Sequence, residues 1–124
     1  MAGSNKEIAL AFLQKLVDGR ISEAYVKYAS PEMRHHNPYS RGDARSLEQG
    51  MLENHEQFPN KSIAFKHVFE DGDLVAVHSH VRLDPDSPGI AAVHILRFSG
   101  DKVVEMWDVA QQIPVDMQNE NGMF

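Results

Sequence analysis

Titratable side chains stand in the middle of three successive segments of β-like sequence. His78 and His80 are two residues apart, His94 lies in the next segment, and Asp108 lies in the one after that. Because residues two apart on a strand share a face, the two imidazoles of the first segment project together. A carboxylate and several imidazoles on one surface could do acid–base chemistry, the acid removing a proton and a histidine donating to the charge that develops. The pattern therefore predicts a polar site where a curved sheet brings the three segments together.

Each of these groups also has a purely structural interpretation. The histidine pair fits a solvent-facing surface of a sheet that is buried on its other side. His94 fits a core histidine that is hydrogen-bonded to a neighbouring carbonyl. Asp108 falls among apolar neighbours, where an unpaired charge is costly, and it could form an ion pair with Arg82 or Arg97.

A metal site is a further possibility for the same residues. Histidines at positions i and i+2 of a strand, as in His78 and His80, can supply two ligands to one ion, and His94, His36 or Asp108 could complete a set of three. The chain has no cysteine to reinforce this interpretation. The prediction is therefore a site without metal or cofactor, with a metal- or ligand-binding module as the alternative.

Composition narrows the class of protein. A chain of 124 residues fits a single domain spanning residues 1–124. The net charge of -6, with the basic residues scattered, argues against a nucleic-acid partner. No apolar run approaches the roughly 20 residues that a membrane span needs. The absence of cysteine suits a reducing compartment, and we expect a cytoplasmic protein without a membrane partner.

Three amphipathic segments in the first half of the chain predict helices. The first begins at Ser4, whose spacing from Glu7 fits a capping box, and it stops at Gly19. The other two cover residues 22–29 and 43–57, the last of them capped by its first residue, an aspartate.

Extended segments follow the helices. A short one is predicted over residues 33–37, and four long ones occupy residues 62–70, 74–83, 90–99 and 102–112. Glycine-containing turn signals separate the first two long strands and the last two. In the first long strand the strict alternation predicts one shared face for Ile63, Phe65, His67 and Phe69. Three helices before four antiparallel strands predict an α+β fold, with the helices packed on one curved sheet and an irregular tail after Pro114.

Four motifs in this order resemble a known family. They are His36-Asn37-Pro38, the stretch at 77–81 with its two histidines, the stretch at 103–109 that contains Trp-Asp, and the tail at 119–124. The chain resembles the SnoaL-like polyketide cyclases of the nuclear-transport-factor-2-like superfamily, and more narrowly a bacterial subgroup of predicted SnoaL-like aldol-condensation enzymes. The resemblance implies a cone-shaped α+β barrel, in which three N-terminal helices pack on a strongly curved antiparallel sheet around an apolar pocket. It also implies a homodimer formed through the outer face of the sheet.

The resemblance also implies roles for individual residues. Asp108 would be the base that removes a proton next to a carbonyl, in a cofactor-free aldol, cyclase or isomerase-type reaction on a small apolar or carbonyl-containing ligand. The residues expected at the site are, as catalytic groups, Asp108, His36, His80 and His94, and as ligand-binding groups, His78, Asn37, Tyr25, Met106 and Trp107. The chain departs from the family pattern at two places, with Met106 where many relatives have His and His94 where many have Asp. A non-catalytic dimer that binds a hydrophobic molecule is the alternative.

Overall fold

The computed structural model describes residues 3–124, so that Met1 and Ala2 of the predicted domain lie outside the described residues. Three helices pack on a five-stranded sheet in an α+β arrangement, as predicted. The elements in chain order are α1 Asn5–Val17, α2 Ile21–Tyr28, β1 Ala29–His35, α3 Ala44–Gln57, β2 Ser62–Asp71, β3 Leu74–Arg82, β4 Ile90–Ser99 and β5 Lys102–Gln112. We call the face of the sheet that the helices cover the inner face, and the opposite one the outer face.

The predicted helix starts are confirmed at two caps. The Ser4 hydroxyl accepts a hydrogen bond from the backbone N–H of Glu7 at 3.2 Å. The Asp43 carboxylate accepts one from the backbone N–H of Ser46 at 3.0 Å. Each bond satisfies an N–H that the first helical turn leaves without a partner.

The expectation of a wholly antiparallel sheet is wrong at β1. The strand order is β1-β5-β4-β3-β2, and β1 runs parallel to β5 at one edge. It begins at Ala29 rather than at residue 33, so Pro31 lies inside a strand. An edge strand tolerates proline because its missing N–H need not join a ladder, and the register of β1 is irregular between Ala29 and Arg34. The sheet is open between its edges β1 and β2, which is consistent with a cone-shaped fold.

A bulge in β2 breaks the predicted alternation of that strand. Phe65 pairs with Ser79, but the next pair in the ladder is His67 with His78, so that Lys66 is the extra residue. Ser79 is fully buried on the inner face, and Phe65 packs against the core beside it. The prediction that Phe65 and His67 share a face is therefore wrong, because an inserted residue turns every later side chain to the other side.

A second irregularity lies in β5 between its pairs with Arg97 and Phe98. As a result Val103 is fully buried, whereas Val104 is only partly so. Strict alternation along β5 would place Val104 on the same face as Asp108, and the extra residue prevents this, as in β2.

The inner face and the three helices enclose the core. The largest fully buried side chains are Phe12, Ile21, Met33, Leu96, Met106, Val75, Val77 and Val103. The tail after Gln112 has no helix or strand, as predicted, and it folds back over the outer face. There the ring of Phe124 lies 4.8 Å from the ring of His80 and 5.4 Å from that of His78, centre to centre. Within residues 3–124 no helix has the length and apolar character to span a membrane.

The turn after α1 yields a prediction about stability. Gly19 has φ of +87°, and an added Cβ would press against the imidazole of His55, whereas Gly50 in α3 has open space around it. We expect Gly19→Ala to lower the free energy of unfolding by about 1–3 kcal/mol, since both the positive φ and the contact oppose a side chain. Gly50→Ala should raise it by roughly 0.5–1 kcal/mol through its helix propensity. Urea unfolding measures both, and a Gly19→Ala protein as stable as wild type would contradict the packing of this turn.

Candidate functional site

A cavity of about 390 Å³ lies between the helices and the inner face of the sheet. The helices and the sheet supply mainly apolar side chains, and the few polar groups come from the loop after β1, from α3 and from the sheet. The lining residues are Leu13, Leu16, Val17, Asn37, Tyr39, Ser40, Leu47, Gly50, Met51, Asn54, Lys61, Ile63, Val81, Leu83 and His94. An apolar cavity with a few polar groups is typical of small-molecule sites.

The register of three strands places His94 and Asp108 on the inner face. Val77 pairs with His94, and His94 pairs with Asp108 across the next ladder. Directly opposed residues of antiparallel strands point to the same side, and Val77 is fully buried beneath the helices. The imidazole and the carboxylate predicted as catalytic groups therefore lie side by side on the inner face, where His94 lines the cavity and Asp108 lies behind the lining.

Asn37 connects Asp108 to the cavity. Its Nδ2 donates a hydrogen bond to Oδ2 of Asp108 at 3.0 Å, and Asn37 itself lines the cavity. Two short contacts fix its position, because its backbone N–H donates to Nδ1 of His35 at 3.1 Å and its Oδ1 accepts from the backbone N–H of Tyr39 at 2.8 Å. The Asn37–Asp108 bond satisfies a partly buried carboxylate without neutralising it.

The environment of His94 favours a neutral imidazole. Burial lowers the pKa of His94, and the negative charge of Asp108 opposes this to a smaller extent. Its Nδ1 is buried without a hydrogen-bond partner within residues 3–124, so the structure does not contain the carbonyl partner of a satisfied core histidine. A neutral imidazole keeps one N–H to donate and one nitrogen to accept.

The ion pair considered for Asp108 is absent from the described part of the chain. Arg97 instead contacts Asp73, with Nη1 to Oδ2 at 3.1 Å, and Glu105, with Nε to Oε1 at 3.5 Å. Arg82 forms no ion pair with any of residues 3–124. Asp108 is thus held by a neutral amide rather than by a cation.

Tyr25 and Met106 are buried near His94 and Asp108 but do not line the cavity. The Tyr25 hydroxyl donates to Sδ of Met51 at 3.6 Å. Burial raises the pKa of Tyr25, and the charges of Glu48 and Asp108 raise it further, so the phenol stays protonated. In this structure both residues form the packing behind the site, and their predicted ligand contacts remain predictions.

The expected convergence of His78 and His80 with His94 and Asp108 is wrong. Both lie on the outer face, because they alternate with buried Val77 and Ser79 along β3. Nδ1 of His78 lies 3.0 Å from Nδ1 of His67, which the β2 bulge has turned to the same side. Nε2 of His80 lies 2.8 Å from the carbonyl oxygen of Pro88. The sheet separates these imidazoles from Asp108.

His36 and Trp107 also lie on the outer face, away from the cavity. Their rings stack with centres 5.0 Å apart, and Nε2 of His36 lies 2.7 Å from Oε2 of Glu105. The hydrogen bond with His36, followed by the charge of Arg34, lowers the pKa of Glu105. The predicted roles of His36 and Trp107 at the site therefore find no support in their position.

The histidines do not assemble a three-ligand metal site. Within residues 3–124, no group of three His, Cys, Asp or Glu side chains is arranged to hold a metal ion. The ligand set considered from the sequence fails because His94 and Asp108 lie on the face opposite His78 and His80.

Sequence reasoning missed a polar pair in the cavity, Lys61 and Asn54. Nζ of Lys61 donates to Oδ1 of Asn54 at 2.9 Å, which joins the start of β2 to α3. Burial lowers the pKa of Lys61. No motif marks either residue, since a lysine before a strand and an asparagine near a helix end are ordinary surface residues.

Helices packed on one face of an open, cone-shaped sheet, with a mainly apolar cavity between the two layers, define the cystatin-like class of α+β proteins. The family model described as SnoaL-like polyketide cyclase matches residues 7–119. The chain therefore belongs to the SnoaL-like polyketide cyclase family, as the sequence motifs predicted. No match to a curated protein was found.

Several solved structures share the fold of this chain. An uncharacterised cystatin-fold protein from Novosphingobium aromaticivorans has a TM-score of 0.73 at 22% identity, with 86% of this chain and 98% of that chain covered. A proposed polyketide cyclase from Acidithiobacillus ferrooxidans has a TM-score of 0.70 at 21% identity, with 89% of each chain covered. A proposed hydroxylase from Streptomyces galilaeus has a TM-score of 0.72 at 22% identity, with 90% and 91% covered. At these identities the likeness shows the fold.

The lowered pKa of His94 predicts how stability depends on pH. In the unfolded chain His94 has a pKa near 6.5 and takes up a proton as the pH falls below that value. In the folded protein burial lowers the pKa of His94, so its ring resists this proton. The folded protein therefore loses stability as the pH falls below about 6.5. Wild type should therefore lose more unfolding free energy between about pH 7 and pH 5 than His94→Gln does. Urea unfolding at both pH values tests this, and equal losses in wild type and His94→Gln would contradict it.

Proposed function

We propose that this protein binds a small carbonyl compound in the inner cavity and catalyses cofactor-free acid–base chemistry on it. The observation that carries the proposal is the pairing of Asp108 with His94 on the inner face, with Asn37 joining the carboxylate to the cavity. Asp108 would remove a proton from the carbon next to the carbonyl. His94, as a neutral imidazole, would donate its N–H to the oxygen on which negative charge develops.

The hydrogen-bonding of Asp108 suits a base. Asn37 occupies Oδ2 and leaves Oδ1 to accept the proton. The amide carries no charge and holds the carboxylate by a single hydrogen bond, which fixes the orientation of the carboxylate. Membership of the SnoaL-like polyketide cyclase family supports carbonyl chemistry, in which proton removal precedes carbon–carbon bond formation.

Binding without catalysis is the second candidate, and one observation favours it. Asp108 does not itself line the cavity, since Asn37 stands between the two. In that case Asp108 would only hold Asn37 in place, and a ligand would contact the amide and His94. Replacement of Asp108 would then change affinity but no rate.

The two candidates differ in the exchange of ketone α-protons with solvent. With phenylacetone as the probe in deuterated water, NMR should show that wild type accelerates deuterium incorporation next to the carbonyl. Asp108→Asn should reduce this acceleration about a hundredfold or more, the usual contribution of a general base. The matched control is Asp116→Asn, which removes an exposed carboxylate from the tail. If Asp108→Asn still binds the ketone and exchanges its protons at the wild-type rate, catalysis by Asp108 is wrong and binding without catalysis is the remaining function.

We also propose a homodimer formed through the outer face, as the family resemblance implies. This face exposes two large apolar side chains, Phe69 on β2, 66% accessible, and Val109 on β5, 65% accessible, which a partner would remove from water.

Val109→Lys should convert the dimer to a monomer, because a charge at the centre of a buried apolar contact loses its hydration. Val26→Lys is the matched control, since Val26 is 81% accessible on α2 at the far side of the molecule. Light scattering coupled to gel filtration gives the mass of each variant. A dimeric Val109→Lys protein would place the interface elsewhere.

A further inference from the structure

One cation projects into a cavity that has no anion of its own. Lys61 is the sole Lys, Arg, Asp or Glu side chain among the lining residues that the structure describes. The other polar groups of the lining are neutral hydroxyl, phenol and amide side chains and the imidazole of His94. The lining therefore carries a net positive charge at one place only.

The ammonium group of Lys61 is only partly satisfied. It has three N–H donors, and Asn54 accepts one of them at 2.9 Å. Lys61 forms no ion pair with any of residues 3–124. Burial lowers its pKa with no opposing charge, which means that its desolvation is uncompensated. A partly buried cation with free donors is a site that an anionic ligand would stabilise.

Lys61 and the His94–Asp108 pair lie at different ends of the cavity. Lys61 precedes Ile63 by two residues, and Ile63 pairs with Val81, whereas His94 pairs with Val77. The four strand positions between Val81 and Val77 separate Ile63 from His94 by roughly 13 Å along the sheet, and Lys61 lies beyond Ile63. A ligand that reaches both ends is therefore elongated, and the negative charge of Asp108 directs an anionic end away from itself, toward Lys61.

We propose that Lys61 selects organic acids, binding the anionic group of an elongated, otherwise apolar ligand while His94 and Asp108 receive its carbonyl end. This inference rests on the proposed function, because it requires the inner cavity to be the ligand site. It names the substrate class that the family assignment leaves open, an amphipathic keto acid or a closely related anion.

The test compares two fluorescent dyes that differ by one charge. Anilinonaphthalene sulfonate carries an anionic group on an apolar body, and phenylnaphthylamine has the same body without it. Fluorescence titration of wild type should show tighter binding of the sulfonate. Lys61→Met keeps the apolar stem and should weaken the sulfonate about tenfold or more, the loss of one charge-assisted hydrogen bond, with little change for the neutral dye. Lys61→Arg keeps the charge and should restore much of the preference.

Lys66→Met is the matched control, because it removes a lysine from the outer-face side of the same strand, where Nζ lies over the ring of Phe124. It should leave the affinities of both dyes unchanged, and a melting curve of each variant confirms that it is folded.

The outcomes separate the two proposals. If Lys61→Met keeps the wild-type preference for the sulfonate, or weakens both dyes equally, the selection of acids by Lys61 is wrong while the cavity remains a binding site. If neither dye binds folded wild type, the cavity is not a ligand site, and the proposed function fails together with the inference. A loss that appears in Lys66→Met instead would assign the sulfonate to the outer face and overturn the role of Lys61.

Discussion

Side chains alternate between the two faces of a strand, and the pairing of β3, β4 and β5 decides which of them meet. With Val77 opposite His94 and His94 opposite Asp108, an imidazole and a carboxylate share the face that the helices cover. A shift of one residue would send both to the outer face and bury His78 in their place. The register is held by apolar side chains, because fully buried Val75 and Leu96 would have to enter water for the ladder to slip.

The polar groups of the site follow from this register and from the loop after β1. Asp108 is partly buried and needs a hydrogen-bond donor, which the rigid Asn37 supplies. Burial lowers the pKa of His94 and favours its neutral form, so a neutral donor in the cavity wall lies beside one carboxylate behind the lining. Lys61 carries a positive charge at the other end of the cavity. The charges of Lys61 and Asp108 thus give the cavity an electrostatic direction as well as a shape.

The sequence predicted the elements better than their faces. Caps at Ser4 and Asp43 and the glycine turns reflect local chemistry, so the helices and the four long strands were predicted within a few residues. The bulge at Lys66 and the irregular pairing near Val104 depend on contacts between strands, which periodicity in a single segment does not record. For the same reason β1 was not expected beside β5, and the outer-face histidines were expected at the site. His94, Asp108 and Asn37 were found because each interrupts an apolar pattern or belongs to a motif, whereas Lys61 does neither.

The central claim is that a ligand meets His94 on the inner face and not the histidines of the outer face. Histidine side-chain NMR of isotope-labelled protein, titrated with phenylacetone, tests it most directly. We predict that the ring resonances of His94 shift with ligand concentration while those of His78 and His80 do not move. Shifts at His78 and His80 with an unchanged His94 would place the site under the C-terminal tail and overturn the assignment of the ligand to the inner cavity.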